Sequence, residues 1–163
     1  MATTLRAVCS RVVRRGDSFG EMALVGEGGR RSATVAALED SETFSVYEHD
    51  FHALRRRHPA IDHLVADFLA NEVRMLNERL LEALYVPVER RVLRRLCELA
   101  RLYPARTGET LIPLTQEVLA ELAGTSRATV NRVLDEEQER GTVDVQRGKT
   151  LVRDFGALAR RAR

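Results

Sequence analysis

Residues Gln116 to Asp135, QEVLAELAGTSRATVNRVLD, decide the fold of this chain. Their apolar residues recur at helical spacing in two groups, Val118, Leu119 and Leu122 before Gly124 and Val130, Val133 and Leu134 after it. The stretch therefore reads as two short helices about a glycine turn. Ala120 falls where the helices cross closely, Val130 where the second packs on the first, and Gly124 where the chain must turn with positive φ. A side chain larger than Ala at the crossing, or a Cβ at the turn, would force the helices apart. Thr115 is placed to cap the first helix and Ser126, preceded by Thr125, the second. Arg127, Ala128, Asn131 and Arg132 are left on the outer face of the second helix. Such a face fits a major groove, where arginine donates two parallel hydrogen bonds to guanine or to phosphate.

Downstream, Thr142 to Val145 and Thr150 to Arg153 are β-prone runs on either side of Gln146-Arg147-Gly148-Lys149, a turn carrying Arg147 and Lys149. Two helices followed by a basic hairpin predict a winged helix. Upstream, Val88 to Leu102 predicts a helix that ends before Tyr103-Pro104, and Pro87 separates it from a longer helix opened by Pro59 and running to about Leu84. On that long helix Leu69, Val73, Leu76, Leu80 and Ala83 alternate at spacings of four and three, a coiled-coil seam through which two copies could pair. Leu81, Leu84 and Met75 widen the apolar face. A winged helix that reads a palindrome needs a twofold axis, and this helix is the place for it.

The first 50 residues have a different texture. Arg11 to Val13, Thr34 to Leu38 and Thr43 to Tyr47 are short β-prone runs broken by turn residues, which predict a small antiparallel roll, and 48 to 57 reads as a short helix. Within this part lie Phe19-Gly20-Glu21-Met22-Ala23-Leu24 and Arg31-Ser32-Ala33-Thr34-Val35. A cyclic nucleotide presents one anionic phosphate and a ribose 2′-hydroxyl, so its site needs a fixed cation, a few donors and one carboxylate acceptor. Arg31 supplies the cation, Ser32 and neighbouring amides the donors, Glu21 the acceptor, and Gly20 lets the backbone come close.

At 163 residues the chain has room for a real core, and with 44% hydrophobic residues but no apolar run of membrane-spanning length it reads as soluble, with no membrane partner. Met1 to Ser10 holds no hydrophobic signal core, which points to the cytoplasm. The net charge of +2 is unevenly shared: residues 87 to 163 carry 15 basic and 11 acidic side chains, residues 1 to 86 carry 11 and 13. That gradient agrees with phosphate contact at the carboxyl end. Cys9 and Cys97 have no metal-ligand spacing, and His49, His52, His58 and His63 read as surface histidines, so no metal is expected. No nucleophile and base stand in a recognisable constellation and no Walker-type loop occurs, so the chain does not read as an enzyme.

Taken in order and at these separations, the cassette FGEMAL with RRSATV, the long helix and LTQEVLAELAGTSRATVNRVL resemble the CRP/FNR family, that of the cyclic AMP receptor protein and the fumarate and nitrate reduction regulator. The resemblance covers about Val13 to Arg153 and implies an α+β fold: a cyclic-nucleotide-binding antiparallel β-roll, a dimerisation helix and a winged helix-turn-helix. It divides the chain into 1–58, 59–86 and 87–163. It implies that Glu21 holds the ribose, Arg31 and Ser32 the cyclic phosphate, and that Asn77 on the long helix approaches the adenine. On the DNA side it implies that Arg127 and Arg132 read bases and phosphates, with Gln116 and Ser126 near the backbone or groove, Ala128 and Asn131 on the reading face and Lys149 on the wing. The implied function is transcription regulation by a cytoplasmic homodimer on double-stranded DNA, with cyclic AMP as effector and RNA polymerase as a possible further partner. A ligand-independent DNA-binding module and a nucleotide-binding interaction protein without DNA binding are the alternatives.

This chain also differs from the family pattern. The family's roll begins well upstream of its cassette, whereas Met1 stands about 18 residues before Phe19, so roughly half of the roll is expected to be missing. Leu76 stands where a hydroxyl facing adenine is common, Pro87 where a hinge Asp is usual, and Ala128 where a base-reading Glu is common. Glu137 and Thr142 stand where leucines are usual, and Asp135-Glu136-Glu137 places acid at the end of the reading helix.

Overall fold

The computed structural model describes residues 12–25, 34–105 and 108–163. In chain order the elements are α1 (Met22–Val25), α2 (Glu48–Arg57), α3 (Ala60–Tyr85), α4 (Val88–Ala100), β1 (Thr110–Ile112), α5 (Gln116–Ala123), α6 (Arg127–Glu139), β2 (Val143–Gln146), β3 (Lys149–Val152) and α7 (Phe155–Arg161). The chain divides into two compact units, one built on Leu81–Arg163 and the other on Arg15–Leu80.

The unit built on Leu81–Arg163 carries the core. Val92, Leu96 and Leu99 of α4, Leu119 and Leu122 of α5, Val130, Val133 and Leu134 of α6, Ile112, Val143 and Val152 of the sheet and Leu158 of α7 are all buried in one cluster. These are the apolar positions that helical and alternating spacing single out, so the pattern and the core coincide. The sheet has the order β1-β3-β2 and is antiparallel throughout, with Thr110 opposite Val152 and Val143 opposite the same Val152. Its hairpin runs one residue out of step with expectation, at Val143–Gln146 and Lys149–Val152. Neither β1 nor α7 is foreseen from the sequence. β1 is three residues long and owes its strand to pairing with β3, and α7 is a short helix capped by Asp154, whose carboxylate accepts from the Ala157 amide at 2.8 Å.

The leucine-to-polar pair at Glu137 and Thr142 has a structural explanation. Both residues are buried. The Thr142 hydroxyl donates to a Glu137 carboxylate oxygen at 2.6 Å, and Arg161 of α7 donates through Nε to the other at 2.9 Å and pairs again through Nη2. Burial pushes the Glu137 carboxyl up, but the hydrogen bonds from Arg161 and Thr142 outweigh it and hold the group below the usual carboxylate range. A hydrophobic contact has thus been replaced by a satisfied ionic one that ties the end of α6 to α7 and the wing. Arg95, also buried, is satisfied in the same manner by Glu82 and by Glu98 at 2.5 Å.

The other unit is thinner. α2 spans Glu48–Arg57 as expected, and α3 runs from Ala60 to Tyr85 without a buried residue. The roll expected from residues 34 to 47 is not formed among the described residues: Thr34 to Leu38 and Thr43 to Tyr47 contain no strand. Val35, Val46 and Tyr47 are more than half exposed and Phe44 is fully exposed. β-prone residues make a strand only when a neighbouring strand accepts their backbone hydrogen bonds, and among the described residues none is placed beside these runs. Arg11 and residues 26–33 lie outside the described residues.

Candidate DNA interface and nucleotide cassette

The helix-turn-helix is assembled by local chemistry. The Thr115 hydroxyl accepts from the Val118 amide at 3.3 Å and the Ser126 hydroxyl from the Thr129 amide at 3.2 Å, so each helix begins at its expected cap. Between them Gly124 sits in the left-handed region at φ +61°, and the Thr125 amide closes α5 by donating to the Ala120 carbonyl at 3.0 Å. A Cβ built on Gly124 meets nothing within 4 Å. Glycine is required here for its backbone conformation and not for space, which corrects the expectation that a Cβ would part the helices. Ala120 is buried at the crossing.

α4 holds this turn from below. Arg91 donates from Nε to the Ala123 carbonyl at 3.2 Å and from Nη2 to the Gly124 carbonyl at 3.4 Å, while its Nη1 reaches the carbonyls of Ala83 and Val86 at 3.1 and 3.3 Å. One guanidinium thus neutralises the carbonyl ends of both α5 and α3, where helix dipoles leave partial negative charge.

The reading face divides into free and engaged side chains. Arg127 and Ala128 are exposed, and Arg127 has no ion-pair partner among the described residues. Arg132 is exposed but doubly held: Nη1 donates to Glu136 at 2.8 Å, one turn along α6, and Nη2 to Glu89 of α4 at 2.6 Å. A hydrogen bond from the Glu89 backbone, then that from Arg132, keeps the Glu89 carboxyl below its ordinary value, and the two carboxylates raise that of Arg132. Asn131 is half-buried, and its Oδ1, shielded from solvent, has no hydrogen-bond partner among the described residues. Ser126 is exposed, with its hydroxyl engaged in the cap and 3.0 Å from the Thr129 hydroxyl. Gln116 is half-buried at the start of α5, and Lys149 is exposed beside the hairpin turn, next to exposed Arg147. Sequence reasoning places Arg127 and Arg132 on the exposed side of α6 but misses the clamp on Arg132. Glu136 is legible as an i, i+4 neighbour, whereas Glu89 lies 43 residues away and has no signal in the chain.

In the cassette, Gly20 has φ +85° and leads into the helical turn α1, with the Ala23 amide donating to the Gly20 carbonyl at 3.2 Å and the Leu24 amide to the Glu21 carbonyl at 2.9 Å. Glu21 is half-buried at that turn. The described part of the cassette thus places a tight glycine turn beside the half-buried Glu21; Arg31 and Ser32 lie outside the described residues. Asn77 is exposed on α3, and among the described residues no hydrogen bond links it to Glu21. His49 and His52 stand beside carboxylates of their own helix, Asp50 at 3.2 Å and Glu48 at 3.7 Å. Among the described residues no three His, Cys, Asp or Glu side chains gather as a metal set, and no helix is long and apolar enough to cross a membrane. Cys97 is buried, and burial raises the pKa of its thiol.

Three helices, a glycine turn and a two-stranded wing completed by β1 define a winged helix-turn-helix domain. Residues 90–161 match the family model of the Crp-like helix-turn-helix domain, and residues 5–58 that of the cyclic nucleotide-binding domain. The chain is 38% identical over 146 residues to a cyclic AMP receptor protein of Thermus thermophilus, covering 88% of this chain and 64% of the relative. It is 33% identical over 150 residues to a CRP-like cAMP-activated global transcriptional regulator of Mycobacterium tuberculosis, covering 90% and 66%. The chain therefore spans roughly two thirds of the length of these curated relatives. In fold it is similar to a CRP/FNR-family transcriptional regulator from Thermus thermophilus, at a TM-score of 0.59 and 24% identity over 64% of this chain and 55% of that one. The chain belongs to the CRP/FNR family of regulators.

Proposed function

We propose that the protein is a sequence-selective, non-enzymatic DNA-binding transcription regulator that works in the cytoplasm as a homodimer and answers to a cyclic nucleotide. The observation that carries this reading is the built helix-turn-helix, capped at both helices and turned at Gly124, with Arg127 and Arg132 exposed on α6 and Lys149 on the wing. α6 would enter the major groove, Arg127 and Arg132 donating to base edges or phosphates, with Ala128 and Asn131 beside them, Gln116 and Ser126 near the backbone and Lys149 on the flanking phosphates.

The dimer would form through α3. Val73, Leu76 and Leu80 on its seam are 57, 62 and 57% exposed, an uncovered heptad stripe of the kind that a second identical helix covers. Residues 1–58 would serve as the sensor, 59–86 as the pairing helix and 87–163 as the reader. Cyclic AMP is the effector proposed, with Glu21 on the ribose, Gly20 allowing close approach, Arg31 and Ser32 on the phosphate and Asn77 toward the base; the relatives' names as cyclic AMP receptor and cAMP-activated regulator support that choice. RNA polymerase is the partner through which such a regulator would act.

Selection from random duplexes at moderate salt tests the DNA reading. The expected result is one enriched motif, with Arg127→Ala and Arg132→Ala each weakening it by about 1–3 kcal/mol. Enrichment of nothing overturns it. Calorimetry with cyclic AMP and cyclic GMP tests the sensing half, and absence of heat with both leaves a ligand-independent DNA-binding module.

A further inference from the structure

The two exposed arginines of α6 are not equivalent. Arg127 has no ion-pair partner among the described residues, while Arg132 lies between Glu136 at 2.8 Å and Glu89 at 2.6 Å. All three members of this cluster are solvent-accessible, with side-chain exposures of 52% for Arg132, 44% for Glu89 and 42% for Glu136. It joins α4 to α6, with two carboxylates about one guanidinium. This cluster sits on the face that would approach a duplex.

We propose that Glu89 is a specificity-determining residue, which with Glu136 withholds Arg132 from phosphates and so suppresses binding to non-cognate DNA. This inference rests on the proposed reading role of α6. Non-specific affinity comes almost wholly from basic side chains that displace counterions from phosphates. A guanidinium already donating to two carboxylates contributes little to that displacement, because a phosphate must compete with pairs it already holds. At a cognate site the exchange is offset by the base-edge hydrogen bonds and the other contacts that a matched sequence adds, whereas a non-cognate site offers phosphate contacts alone. The carboxylates thus subtract more from wrong sites than from right ones, which is how discrimination is built by penalising competitors. Glu136 also faces Arg140, 3.6 Å away, so its charge is shared. Glu89 accepts from Arg132 and from its own backbone amide and, among the described residues, is not shared with Arg140, so it is the cleaner handle.

The test measures binding of the full chain to a selected duplex and to a scrambled one across a range of salt concentrations, for wild type, Glu89→Gln, Arg132→Gln and the double variant. Glu89→Gln is expected to tighten scrambled-duplex binding by roughly three- to tenfold and to steepen its salt slope by about 0.9, one additional phosphate contact. Selected-duplex affinity should change less, so the ratio of the two falls. In the Arg132→Gln background Glu89→Gln should have little effect, because the freed cation is gone. An unchanged salt slope, weaker scrambled-duplex binding, or the same tightening with and without Arg132 overturns the clamp and leaves the DNA reading standing. Failure of both wild type and Glu89→Gln to bind any duplex removes the clamp and the DNA reading together.

Discussion

The reading unit and the stretch from Thr34 to Tyr47 are built from comparably apolar sequence and reach opposite ends. Val130 and Leu134 of α6 are wholly buried, whereas Phe44 is fully exposed. The difference is the distance over which each must find partners. The helices of the reading unit make their own backbone hydrogen bonds and meet one another across short turns. A β-prone run is worth nothing until another strand lies alongside it, and among the described residues none does for 34–47. Local chemistry folds the first; the second depends on chain brought from elsewhere.

Unfolding of core, ion-pair, turn and surface variants sharpens or breaks that contrast. Leu134→Ala should cost about 3–5 kcal/mol in denaturant unfolding, by transfer and cavity terms together; a loss below about 1 kcal/mol would show the core to be looser than its burial states. Glu137→Gln should cost about 1–3 kcal/mol, because the partly exposed Arg161 and the Thr142 hydroxyl lose their charge-assisted hydrogen bonds to a buried carboxylate. Replacing Glu137, Thr142 and Arg161 by leucine, leucine and methionine should recover the loss. The sign of the pH effect follows from the depressed carboxyl. Its contribution is fully present above the unfolded value of about 4.3 and is lost as pH falls through the folded value, so wild type should lose stability in that acid window faster than the leucine variant. Gly124→Ala should cost about 1–2 kcal/mol through its positive φ, with no loss of helix packing in the spectrum of the folded protein. Phe44→Ser should change stability by less than about 0.5 kcal/mol, and a larger loss would mean that Phe44 is covered in solution.

Much of the reading unit is legible in the chain. Helix positions, the caps at Thr115 and Ser126, the turn at Gly124 and the hairpin follow from rules acting over a few residues, and the structure departs from them by a residue or two. What escapes is whatever depends on distant partners. β1 is a strand through β3, Glu89 reaches Arg132 across 43 positions, and the acid at Glu137 is tolerated because Arg161 waits 24 positions on. Asn131 lies between the two cases: helical spacing puts it on the outer face, where it is half-buried with its amide oxygen shielded.

The pairing of β1 with β3 has one more result. α5, the glycine turn and α6 all lie between Ile112 and Thr150, which face each other across the sheet. The recognition motif is therefore a closed loop with stitched ends, and neither helix is free to peel away while the seam holds. The Thr125 amide, bonded to the Ala120 carbonyl inside that loop, should exchange its proton with solvent water more slowly than an unbonded turn amide, making this single nitrogen a gauge of how often the motif opens.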